Sequence, residues 1–158
     1  MKRTMFVALA VLLISTSSAF AAKGNGLAIG GEGALYFGGT GGLPIGAMLS
    51  LHLPDFPLML GIGISEPFDI GITADYWLAH GNLASIFSWY AGVGGYLSFD
   101  PNPASFAVGG RIPIGLQMWP LGQSLEVFLE VAPAVGLSIV PTGFDWHFQG
   151  ALGVRFWF

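Results

Sequence analysis

Seven ionisable residues stand where chemistry could take place: Glu32, Asp75, Arg111, Glu126, Glu130, His147 and Arg155. Each falls on the polar face of a segment whose residues alternate, so all seven are expected to point toward one interior. Charges in such an interior are costly unless paired or hydrated, and two arginines among several carboxylates should form an ion-pair network. Arg111 is expected within reach of Glu126 or Glu130, and Arg155 within reach of Glu130 from the other side. Two roles follow. The network closes and rigidifies the interior, or its surplus carboxylates line a hydrated, cation-preferring path, as acidic rings do in cation channels.

Other sets are poorer. Hydrolysis or transfer of lipid acyl chains needs a nucleophile, a base and an orienting carboxylate. Ser50 and His52 share a strand face and Asp55 follows. Alternate side chains on a strand lie about 7 Å apart, however, too far for a direct Ser–His hydrogen bond. His80 falls in an expected turn, and His147 has Asp145 and Gln149 beside it on its face. That reads as a hydrogen-bonded set, not a metal set. No catalytic residue, cofactor or metal is therefore assigned, and enzyme activity is the weakest reading.

The elements that must hold these residues are eight alternating segments: Leu27–Phe37, Pro44–Leu53, Phe56–Ser65, Asp69–Ala79, Ile86–Phe99, Phe106–Trp119, Leu125–Val140 and Phe144–Phe158. Between them lie turn residues: 38–42, Pro54-Asp55, Glu66-Pro67, His80-Gly81-Asn82, 100–103, 120–123 and 141–143. In the last segment Phe144, Trp146, Phe148, Leu152, Val154, Phe156 and Phe158 share one face, opposite Asp145, His147, Gln149, Arg155 and Trp157. The inward set elsewhere mixes glycines with Tyr36, Met48, Met59, Tyr90, Tyr96 and Trp119, which suits the filled interior of a narrow barrel. Pro113 and Pro133 each remove a backbone donor from neighbouring segments. A bulge or local kink is expected there, with a deformable seam as the alternative.

Composition says which face meets which solvent. Only 9% of the residues are charged and 53% are hydrophobic, whereas soluble domains carry roughly a quarter charged residues. A lipocalin-like soluble barrel would be apolar inside and charged outside, the inverse of this pattern. The chain opens with Met1, Lys2 and Arg3, an apolar run from Met5 to Ile14, and Ala19-Phe20-Ala21. That order reads as a signal peptide over residues 1–21, too short to cross as a helix, followed by a barrel over 22–158. With the signal removed, Lys23, Arg111 and Arg155 are the fixed positive charges. Nucleic acid is thus an unsuitable partner. Cysteine is absent, which excludes disulfides and thiolate chemistry.

The runs Arg111-Ile-Pro-Ile-Gly-Leu116, Leu125-Glu-Val-Phe-Leu-Glu-Val-Ala-Pro133 and Gly153-Val-Arg-Phe-Trp-Phe158 resemble a family of small, functionally unassigned bacterial outer-membrane barrels of spirochaetes and other Gram-negative-type bacteria. The resemblance covers mainly the last third of the chain. It implies an eight-stranded barrel, an outer-membrane location and no established catalytic role. The terminal aromatic also looks like the signal read by the outer-membrane assembly machinery.

The sequence thus predicts an all-β, eight-stranded, antiparallel up-and-down transmembrane barrel, exported to the bacterial outer membrane, with both termini in the periplasm. Its expected role is structural or interactive in the envelope; a narrow pore for small solutes or cations is the alternative. Expected partners are outer-membrane lipid, the assembly machinery acting on the C-terminal strand, and a host or envelope protein at the short loops, such as 66–68 and 100–103. Tyr76, Trp89, Trp146, Trp157 and Phe158 are expected at the membrane interfaces.

Overall fold

The computed structural model describes residues 26–37, 45–65, 69–101, 104–140 and 142–158. The expected signal segment 1–21, the turns at 38–42 and 66–68, and the side chain of Tyr36 lie outside the described residues. Among the described residues there are nine strands: β1 (Ala28–Phe37), β2 (Ile45–His52), β3 (Leu58–Ser65), β4 (Asp69–Ala84), β5 (Phe87–Pro101), β6 (Ala104–Arg111), β7 (Ile114–Met118), β8 (Leu125–Val140) and β9 (Gly143–Trp157). Every pairing is antiparallel, and β1–β9 together with β4–β5 close the single sheet into a ring.

The ninth strand arises from the expected sixth segment, which is divided at Ile112-Pro113. Both halves pair with β5 and with β8, so the ring has eight positions around it. The expected bulge is absent there. Arg111 faces Gly94 and Ile114 faces Ala91, and the same two residues face Ala134 and Val131 on β8, so neither register slips across the break. The prolines interrupt the ladder only by their missing donors. Pro113 still accepts from Gly92 N at 2.9 Å, and Pro133 accepts from Ile112 N at 3.0 Å. Each proline thus keeps one half of its pair, and the strand runs on in register.

A second departure concerns His80-Gly81-Asn82. These residues are not a turn: β4 continues to Ala84 and reverses at 85–86. Register shifts at Leu78 and Leu83 mark β-bulges. The extra residue at Leu78 reverses the alternation, so Trp77 points inward before it, while His80 and Asn82 share the face of Tyr90 and Ser88 after it. Gly and Asn signal a turn in sequence, but a bulged hairpin satisfies the same backbone. The other turns at this end are as expected: Asp55 (φ 60°) and Gly122 (φ 68°) take left-handed conformations within 53–57 and 119–124.

Pairing partners followed once around the ring run from Ala28 through His52, Met59, Asp75, Gly94, Arg111 and Ala134 to His147. His147 lies next to Phe148, the partner of Phe37. One circuit therefore climbs about ten residues along β1, which for eight positions tilts the strands by about 40°. The interior of such a ring is only wide enough to be filled by side chains.

Alternation decides what fills it. On β8, Glu126, Phe128, Glu130, Ala132 and Ala134 are buried, while Leu129, Val131, Val135, Leu137 and Ile139 are exposed. On β4, Thr73, Asp75 and Trp77 are buried between exposed Ile72, Tyr76 and Leu78. Inward glycines leave room for large neighbours. A Cβ on Gly30 would overlap Arg155, one on Gly94 would overlap Asp75, and one on Gly115 would overlap Tyr90. The outward Gly31 is different: a Cβ there would meet only Met48 O, at 3.9 Å. Gly30→Val, which also collides with β9 backbone, is expected to lose about 1–3 kcal/mol or more and to abolish the compact band on unheated gels. Gly31→Ala should retain that band. Equal folding of the two variants would contradict this packing.

Candidate functional site

The seven residues singled out in the sequence do meet in one interior, in two clusters. Each cluster is built around an arginine. Arg155 on β9 faces Glu126 on β8 directly in register, and its NH1 donates to Glu126 Oε1 at 2.9 Å. Its Nε donates to Ser50 Oγ at 3.0 Å, its NH2 lies 3.6 Å from Glu32 Oε2, and its Cζ stands 3.5 Å over the Phe128 ring. Glu126 accepts two further bonds, from Gln117 Nε2 at 2.8 Å and Trp157 Nε1 at 2.7 Å. Arg155 is 1% exposed and Glu126 0%, so this cation and anion rely on each other and on neutral donors and acceptors.

The second cluster forms around Arg111. Its NH2 pairs with Glu130, its NH1 donates to Gln149 Oε1 at 2.7 Å, and its Nε stands 3.2 Å from Asp75 Oδ1 without hydrogen-bond alignment. Glu130 also accepts from Tyr90 Oη at 2.5 Å. The expected pairing of Arg155 with Glu130 is therefore corrected. Glu126 sits squarely opposite Arg155, whereas Glu130 faces Ala151 and Gly115 and is taken by the long side chain of Arg111. His147 belongs to the second cluster through Gln149, whose Nε2 lies 2.9 Å from His147 Nε2, and His147 Nδ1 lies 3.2 Å from Asp145 Oδ2.

Aromatic rings close the end nearest the termini. Trp77 stacks on Tyr90 with centroids 4.3 Å apart, and His52 stands between Trp77 at 5.5 Å and Trp157 at 4.8 Å. Trp119 lies 5.6 Å from Trp157, and its Nε1 donates to Ser88 Oγ at 2.7 Å. A cleft of about 40 Å³ opens at that mouth beside His80, Asn82 and Ser88. Beside Glu32, Arg111, Glu130 and Gln149 lies a void of about 10 Å³, enough for about one water molecule.

Other expected sites resolve differently. Ser50 and His52 are both buried and separately engaged: Ser50 accepts from Arg155, and His52 Nδ1 bonds to Gly26 O at 2.8 Å. Asp55 is exposed in its turn, so these three residues do not converge. Among the interface candidates, Tyr76 and Trp146 are exposed, while Trp89 is half-buried and stands beside Gly81. Phe158 is half-buried at the rim, its N donating to Leu27 O at 2.8 Å. Trp157, expected at an interface, points inward instead. Two residues from Arg155 on the inward face, it is 3% exposed and donates to Glu126. Tyr90, Ser88, Gln117 and Gln149 complete the network. Their inward phase was legible, but their partners sit on strands distant in sequence.

No family model, curated protein or solved structure matches this chain, and the site is read from its own geometry. Arg155→Met strands the buried Glu126 carboxylate and is expected to cost about 3–5 kcal/mol in reversible denaturant unfolding. Arg155→Met combined with Glu126→Gln should regain about half of that loss. A loss of under about 1 kcal/mol in the single variant would show that the pair contributes little.

Proposed function

We propose that the protein is a small bacterial outer-membrane barrel with a closed lumen that serves the envelope as a structural or interaction element. One observation carries this reading. Around the ring, paired outward residues Leu49, Ile62, Ile72, Leu97, Val108, Leu137 and Phe144 form a continuous row, each between 39% and 70% exposed. Among the described strand residues no charged side chain occupies an outward position. Water does not tolerate so complete an apolar girdle, whereas hydrocarbon requires one, and a closed sheet leaves no unpaired edge within it.

The resemblance of the C-terminal runs to small outer-membrane barrels points the same way. So does the leader-like order of residues 1–21, whose removal would give a chain beginning at Ala22. Residues Gly26 and Phe158 share one rim, which in this reading is periplasmic. Exposed Tyr76 and Phe56, 5.6 Å apart, lie toward it, and Trp146 and Phe148, 6.1 Å apart, lie toward the other rim. These rings are the proposed interface anchors. The paired β9 strand, with Phe158 following it, is the proposed contact for the assembly machinery.

A closed lumen is favoured over a pore by the filled interior: two arginines are engaged by Glu126 and Glu130, and the terminal mouth is packed with Trp77, Tyr90, Trp119 and Trp157. Refolded protein in planar bilayers near pH 7.5 should be electrically silent, with folding verified by heat-modifiable migration. Reproducible current steps that change cation preference in Glu130→Gln would replace this reading with the pore. Leu137→Arg should cost about 2–4 kcal/mol in a bilayer. A variant as stable as the parent, or a parent that stays soluble without detergent, would contradict the lipid-facing placement.

A further inference from the structure

The run Arg111, Gln149, His147, Asp145 has a polarity imposed from its inner end. Arg111 NH1 donates to Gln149 Oε1 at 2.7 Å. A guanidinium has no acceptor, so the carboxamide must show its oxygen to Arg111 and turn its NH2 the other way. That NH2 lies 2.9 Å from His147 Nε2. Two donors cannot share this contact, so Nε2 has to be an unprotonated acceptor. The ring proton then resides on Nδ1, 3.2 Å from the Asp145 carboxylate that accepts it. Neutral His147 satisfies every member of the run, and imidazolium does not. Its Nε2–H would meet an NH2 group, and turning the carboxamide over would aim that NH2 at Arg111.

We propose that Arg111, Gln149, His147 and Asp145 form an acid-released latch at the lumen mouth opposite the termini, in which proton binding at His147 Nε2 detaches Gln149 and loosens its hold on Arg111. Among the described groups that face the imidazole are Asp145 and Gln149 on its own strand, the Tyr96 ring of β5 edge-on at 5.3 Å, and Ala134 opposite on β8. Arg111 of β6 acts on it through Gln149 and is itself held by Glu130 and Asp75. Asp145 accepts from Nδ1 in either protonation state, so the discrimination lies at Nε2. The Asp145 side chain is 47% exposed and puts the outer end of the run in contact with solvent. Gln149 is buried, so bulk water does not replace the bond it loses. The latched state binds one proton fewer than the released state, and acid therefore favours release.

This inference rests on the closed-lumen reading, and the release is read as solvent entry at the polar end, because the aromatic end stays packed. Ala151→Cys, beside the void at Arg111 and Gln149, supplies a thiol whose labelling by a small methanethiosulfonate reagent is followed at about pH 7.5 and about pH 5 in the parent, His147→Phe and Gln149→Glu backgrounds, each verified as folded by heat-modifiable migration. The thiolate fraction changes alike in all three, so the ratio of the labelling rate at the lower pH to that at the higher should be at least about tenfold greater in the parent than in either variant, the equivalent of one lost charge-assisted hydrogen bond. His147→Phe takes up no proton, and in Gln149→Glu the carboxylate accepts from Arg111 and from imidazolium alike. Equal ratios in the three proteins overturn the latch alone. Planar-bilayer current from the parent at the higher pH overturns the closed-lumen reading and the latch with it.

Discussion

The interior of the ring is organised by two side chains that can only donate hydrogen bonds. Arg111 and Arg155 are buried away from bulk water, and the polar groups that accept from them are oriented by that demand. Arg155 takes an oxygen from each of Glu126, Ser50 and Glu32 and rests on the Phe128 face. Glu126, left with lone pairs to satisfy, draws in Gln117 and Trp157, and the Gln117 oxygen in turn accepts from Ser88 at 3.0 Å. Polarity thus passes outward from each guanidinium through amides, hydroxyls and indoles toward the rims. Removing one member exposes the next, which is why such networks are far costlier to break than to replace whole.

That interior is possible because the barrel is narrow and strongly staggered. A climb of about ten residues per circuit sets side chains from strands remote in sequence at one level. Glycines at 30, 94 and 115 provide the space that Arg155, Asp75 and Tyr90 occupy. The same alternation that turns charges inward turns Leu, Ile, Val and Phe outward. The fold is inside-out relative to a soluble barrel, and the proposed solvent of its outer face is lipid.

The two ends of the interior differ in kind. Nearest the termini it is plugged by stacked indole and phenol rings, rigid and bulky groups. At the other end the described residues include Gln149, His147 and Asp145, polar groups joined end to end. Between them lie four carboxylates and two guanidiniums, with a void of about 10 Å³, enough for about one water molecule, beside Glu32, Arg111, Glu130 and Gln149. Gln149 joins the polar end to Arg111, whereas the aromatic end is packed through ring area and shape.

The all-β class, the alternating faces and the membership of the charge network were determined by sequence alone, because a period of two fixes which residues share a face wherever a strand runs. The extents of β8 and β9 were legible to within a residue, and so was the inward position of Arg155, Glu126 and Gln149. What only the tertiary structure decided was pairing. That Arg155 takes Glu126 while Arg111 takes Glu130, and that Trp157 turns from a rim anchor into a donor to Glu126, depends on the stagger between strands, which local residues do not encode. Pro113 and His80-Gly81-Asn82 show the same limit from the other side. Their local signals say break and turn, yet neighbouring strands held one segment in register and absorbed the other in bulges. Hydrogen bonds supplied across the sheet outweigh a preference set within a few residues.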